Sequence, residues 1–95
     1  MSRITLRHPH HGDAVDVKQK IKLLIDQTAR KYGIRHRWSG NVCNLSGPVK
    51  GQIEIKNDHL DVKLKLGFAA SLFKSKIENE IRQELDRHIP MEPTT

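Results

Sequence analysis

Three histidines open the search for chemistry. His8, His10 and His11 crowd into a short stretch near the N-terminus. Imidazole nitrogen is a common ligand for zinc, copper and nickel. On an extended strand His8 and His10 share a face, and His11 is within reach of the same ion. Against a metal site, Asp13 is the one carboxylate nearby in sequence, and a closed structural site uses about four ligands. Pro9 and Gly12 interrupt the run, so the favoured reading is a turn leading into a helix, with no metal. A second candidate pairs Cys43 with His36, since a Cys–His pair can make a thiolate nucleophile. Cys43, however, alternates with Leu45 on the core side of its strand, where a thiol behaves as a small hydrophobe. Gly47-Pro48-Val49-Lys50-Gly51 lacks the spacing of a phosphate loop. No Ser-His-Asp order and no pair of catalytic carboxylates stands out. The expectation is a protein that is not an enzyme, with no catalytic residue, cofactor or metal.

Arginine is the next candidate chemistry. Arg3, Arg7, Arg35 and Arg37 could bind a polyanion, because guanidinium pairs with phosphate and stacks on bases. The 95-residue chain carries a net charge of +6. Residues 1–51 hold ten Lys/Arg against three Asp, and residues 52–95 hold seven against eight acidic residues. A basic first half either attracts nucleic acid or another polyanion, or forms a solvated face that keeps the chain soluble. Sheets that bind RNA usually display aromatic residues for stacking. Here aromatics are 4% of the chain, namely Tyr32, Trp38, Phe68 and Phe73, and Trp38 shares the inward strand face with Ile34. The single cysteine excludes an internal disulfide and a cysteine-based zinc ribbon. No apolar run approaches the ~20 residues that span a bilayer. The N-terminal segment has no apolar signal core, which predicts a cytoplasmic protein.

The elements that would position these residues follow from periodicity. Ser2 to His8 alternates as a strand that Pro9 stops. Asp13 suits a helix N-cap. Val17, Ile21, Leu24, Ile25, Thr28 and Tyr32 form one helical stripe over residues 13–32. Gly33 fits the left-handed position past its end. Ile34, His36 and Trp38 mark a strand, and Ser39-Gly40-Asn41 turns it into a second with Cys43 and Leu45. Val49 to Lys56 is the next, Asn57-Asp58 a hairpin turn, and Leu60, Val62, Leu64 and Leu66 the inward side of the last strand. A second helix is expected over Ala69–His88, with Phe73, Ile77, Ile81 and Leu85 spaced by four. The order is β-α-β-β-β-β-α. It predicts an α+β domain over residues 1–90, with a flexible tail at 91–95. Its architecture is two layers, a five-stranded mainly antiparallel sheet with two helices on one face. The bare face would carry the four arginines with Lys56, Lys63, Lys65, Glu54 and Asp61.

Three segments, taken in order, carry a resemblance. They are Arg3-Ile4-Thr5-Leu6-Arg7-His8-Pro9-His10; Tyr32-Gly33 with Trp38-Ser39-Gly40-Asn41; and Gly51-Gln52-Ile53-Glu54-Ile55 with Leu64-Lys65-Leu66-Gly67-Phe68, Ile77-Glu78, Ile81 and Leu85-Asp86. Over residues 2–89 the chain resembles the small bacterial polyhydroxyalkanoic acid system family. The resemblance implies a non-enzymatic accessory protein at storage-polyester granules, binding a granule-associated protein or the polyester surface. It supplies no catalytic residue.

Phe68, Leu72 and Phe73 are the docking patch this role would need; the competing reading is that Phe68 and Phe73 seal one end of the core. A nucleic-acid-binding module using Arg35 and Arg37 is the alternative function. A small carrier of an apolar or acyl ligand is a further one, although the Leu and Ile content reads as sufficient only to fill the core. Exposed sheet edges leave a monomer or a weak homodimer open.

Overall fold

The computed structural model describes residues 2–89, and the expected tail at 91–95 lies outside the described residues. Strand β1 (Ser2–Pro9) alternates as its sequence requires, with Ile4, Leu6 and His8 buried and Arg3, Thr5 and Arg7 exposed. Helix α1 (Ala14–Tyr32) starts where the Asp13 carboxylate accepts the Val15 N–H at 2.9 Å. Such a cap is worth about 1 kcal/mol. The helix ends at Gly33, whose φ of 67° is left-handed and whose N–H donates to the Ala29 carbonyl. Strands β2 (Arg35–Ser39), β3 (Val42–Ser46), β4 (Val49–Ile55) and β5 (His59–Leu66) then form an antiparallel meander.

β1 joins this meander beside β5, giving the order β1-β5-β4-β3-β2 with every pair antiparallel. The first two strands in sequence are therefore the two edges of the sheet. Four inter-strand steps span ~19 Å, and the 19 residues of α1 reach ~28 Å. The helix is long enough to carry the chain from one edge to the other across a single face. Val17, Ile21 and Ile25 from α1 share one core with Leu60, Val62, Leu64 and Leu66 from β5. Leu85 and Ile89 from the end of the chain join the same core. Both helical layers thus cover the same side of the sheet, and the other side is bare.

The second helical region differs from expectation. It is a short α2 (Phe68–Ser71) followed by α3 (Lys74–His88), with the break at Leu72 and Phe73. The Ser71 hydroxyl donates back to the Gly67 carbonyl at 2.9 Å, competing for the acceptor that the Ser71 N–H also uses at 2.8 Å. Back-bonding of this kind bends helices. Phe73 N–H then bonds Ala70 O, three residues back, which tightens the turn and ends the regular repeat.

One glycine sets the pairing of β4 on β5. Gly51 has φ 148°, and a Cβ there would lie 2.0 Å from the Lys63 carbonyl oxygen and 2.8 Å from Leu64 Cα. The obstacle is backbone, so no side-chain rotation relieves it. We expect Gly51→Ala to lose at least about 1–3 kcal/mol from strain alone, measured as a lower urea midpoint. An unchanged midpoint would mean that β4 does not approach β5 in this register.

Candidate functional site

The C-terminal end of α3 is fastened to the first strand. The His8 side chain on β1 reaches the Ile89 carbonyl with Nε2 at 2.6 Å. A carbonyl can only accept, so Nε2 carries the hydrogen. His10 does the same with the Lys56 carbonyl at 2.7 Å, tying the loop before α1 to the β4–β5 turn. His11 is exposed. Two of the three clustered histidines are therefore braces between chain segments. Among the described residues no group of three or more His, Cys, Asp or Glu side chains converges to hold a metal ion.

From that anchored end, α3 rises off the sheet. Leu85 is 3% exposed, Ile81 and Ile77 are half-buried, and Phe73 is 59% exposed. The four residues of the expected stripe thus grade from core to solvent, from Leu85 inside α3 to Phe73 at the break before it. The space this opens is a cleft of about 670 Å³ between α1, α3 and the sheet. Leu45, Ile53, Val62 and Leu64 are among the residues of its sheet floor, and Leu24, Thr28 and Ala29 lie on its α1 wall. The expectation that the aliphatic residues would be consumed in filling the core is corrected here. Leu24, Ile34, Leu45, Ile53, Ile77 and Ile81 remain only partly buried, because α1 and α3 do not close over the middle strands.

A polar strap crosses the cleft mouth. The Tyr32 hydroxyl donates to Glu80 at 2.9 Å, and Lys31 Nζ lies 3.5 Å from the same carboxylate. Lys31 also sits 5.2 Å from the Tyr32 ring centre. Hydrogen bonding and charge at Tyr32, and then Glu80, hold the Lys31 pKa above its ordinary value. Helical periodicity could place Tyr32 and Glu80 each on its own helix. Nothing in that pattern could have paired them across 48 positions.

The apolar patch residues lie at the same end of the molecule. Phe68 is 90% exposed, Leu72 74% and Phe73 59%, so they do not seal the core. Phe73 lines the cleft as well. Cys43 is fully buried opposite Trp38, and burial pushes its thiol pKa up. His36 is exposed and sits opposite Leu45, so the sequence-derived Cys–His pair does not form a nucleophile.

The four arginines do not make one cluster. Arg3 and Arg7 are on edge strand β1, and Arg35 and Arg37 are on β2 at the opposite edge. Arg7 lies 3.8 Å from Asp61. Register adds what periodicity could not see, a cross-strand row of exposed Arg3, Lys65 and Lys50 on β1, β5 and β4. Trp38 faces α1, where Lys18 and Lys22 lie 5.2 and 5.9 Å from its ring centre.

Comparison with known proteins adds one finding. A family model described as "Putative polyhydroxyalkanoic acid system protein" matches residues 4–89. No curated protein and no solved structure matches the chain. No described helix is long and apolar enough to cross a membrane.

The strap makes a prediction about pH. A lysine whose folded pKa exceeds its unfolded value adds stability below the ordinary value of ~10.4, and that stability is lost as pH rises through the folded pKa. We expect an NMR titration to place Lys31 above an ordinary lysine, and Glu80→Gln to bring it down. An ordinary value in both proteins would mean that the strap does not form in solution.

Proposed function

The chain belongs to the polyhydroxyalkanoic acid system family, and from that premise we propose that it is a non-enzymatic accessory protein that docks on storage polyester. The observation that carries this reading is the exposure of Phe68, Leu72 and Phe73 together around the α2–α3 break. Fully burying such a side chain is worth about 1.5–3 kcal/mol. Three of them on one protruding turn supply enough for weak, reversible surface attachment. Lys74 and Lys76 stand exposed beside them and would hold an anionic coat close without occupying the apolar contact. Attachment of this kind places the protein at the granule boundary and asks for no chemical step.

A separate observation favours a second reading, nucleic-acid binding by the bare sheet face. Like charges directly opposite one another on adjacent strands are destabilising. The row Arg3, Lys65, Lys50 carries that cost across three strands, and the only carboxylates on the outward face of β4 and β5 lie nearer its other end, at Glu54 and Asp61. A bound phosphate backbone would relieve the repulsion. Its affinity would fall steeply with salt, whereas apolar docking would not.

The two readings separate in one experiment. Purified protein is sedimented with washed, protein-free polyester particles at low and high salt. We expect retention that survives salt and drops roughly tenfold or more in the Phe68→Ser, Leu72→Ser double variant. Retention only on particles that keep their native protein coat would make a granule-associated protein the partner. Loss of all retention with tight, salt-sensitive oligonucleotide binding would replace the docking reading with the second one.

A further inference from the structure

We propose that the cleft between α1 and α3 is a binding site for a single linear aliphatic chain with a small polar end, such as a medium-length acyl chain. This proposal stands apart from surface docking, because it concerns the interior behind the patch and would hold for a free chain in solution.

Size and lining come first. The cleft measures about 670 Å³, within the ~300–1,000 Å³ usual for small-molecule sites. Its floor is built from strand residues that are aliphatic, including Leu45, Ile53, Val62 and Leu64. The polar residues that line it are Gln27, Thr28, Lys31, Tyr32, Lys76, Glu80 and Glu84, and all of them sit on the two helices. An occupant would therefore place hydrocarbon against the floor and a polar end toward the helical rim. The α3 side of the cleft runs from Phe73, just before the helix, to Leu85, twelve residue steps or ~18 Å. That length suits a chain of medium length.

The strap decides between a thin occupant and a thick one. Tyr32 on α1 is hydrogen-bonded to Glu80 on α3, and Lys31 is paired with the same carboxylate. A helix from a partner or a second copy is about 10 Å across. It could not enter without breaking the strap and prising α3 further from α1. A hydrocarbon chain can pass beneath it. The rim then receives the polar end. Lys31 is paired with Glu80 and Glu84 with Arg87 and His88, whereas Lys76 lines the rim with no ion pair among the described residues. Gln27, Thr28 and Lys76 remain as donors for the oxygen atoms of that end.

The test uses the full chain and the methyl esters of octanoic, decanoic and dodecanoic acids, competing against an environment-sensitive fluorescent fatty ester. Expected is saturable one-to-one binding that tightens roughly fourfold for each added methylene until the channel is full. Ala70→Phe and Thr28→Phe fill the cleft from α2 and from α1. Each is expected to abolish ester binding while keeping the native Tm or raising it, so that if one variant misfolds the other still decides. Phe68→Ser with Leu72→Ser should leave ester binding intact, and the filled variants should still sediment with polyester. Failure of the cleft and failure of the docking patch are thereby told apart. Non-saturable partitioning would overturn the proposal. So would ester binding unchanged in both filled variants, or a dimer in sedimentation analysis that dissociates in the filled variants and binds no ester.

Discussion

A single buried contact, the His8 imidazole on the Ile89 carbonyl, governs the layout of this molecule. It joins the first strand to the last turn of the last helix across 81 positions, and it fixes where α3 meets the sheet. A buried polar pair cannot be left half-made, since an unpaired carbonyl costs ~1–3 kcal/mol. The C-terminal end of α3 is thus held down next to Leu85 and Ile89 in the core. The N-terminal end has no equivalent. It is preceded by a break at Leu72 and Phe73, and farther along α3 the exposed strap of Tyr32, Lys31 and Glu80 links the helix to α1. An anchored end and a lightly strapped end make a splayed helix, and the splay is the cleft.

This arrangement explains how a small basic domain can carry two apolar features without losing its core. The densest packing gathers where β1 and β5 meet the anchored end of α3 and the body of α1, around Ile4, Ile21, Leu60 and Leu66. The middle strands β3 and β4 carry their inward aliphatic residues into the space between the helices instead. Phe68 and Phe73 do not close that space: both are exposed, and Phe73 alone of the two lines the cleft. The bare face is a separate surface. Its charge is set by pairing, with Arg7 drawn to Asp61 and Lys56 lying 3.3 Å from Glu54 at one end, while Arg3, Lys65 and Lys50 gather at the other.

Much of this was legible in the residue order, for identifiable reasons. The α1 helix announces itself by Asp13, by the Val17, Ile21 and Ile25 stripe, and by Gly33, each a local signal acting within a few residues. Strand β5 is equally plain, because Leu60, Val62, Leu64 and Leu66 alternate with charged residues. Where non-local or competing local bonds ruled, the reading fell short. The split of the second helix depends on a serine hydroxyl choosing a backbone carbonyl, which periodicity does not encode. The patch residues were identifiable because they were apolar beside a glycine, but whether they sealed the core or protruded depended on the tilt of a helix. The arginines were identifiable as outward-facing, but their distribution over both edges depended on strand order.

The sequence by itself determined the α+β class, the two-layer form, the caps of α1 and the family to which residues 4–89 belong. These rest on side-chain period and short-range backbone bonding, and both are properties of neighbours in the chain. The tertiary structure alone decided that β1 lies beside β5, that His8 and His10 each reach a backbone carbonyl, and that α1 and α3 stand apart over an aliphatic floor. Those outcomes rest on which distant groups meet when one face is buried. Contact between residues 48 or 81 positions apart is a property of the packed chain and of no segment within it.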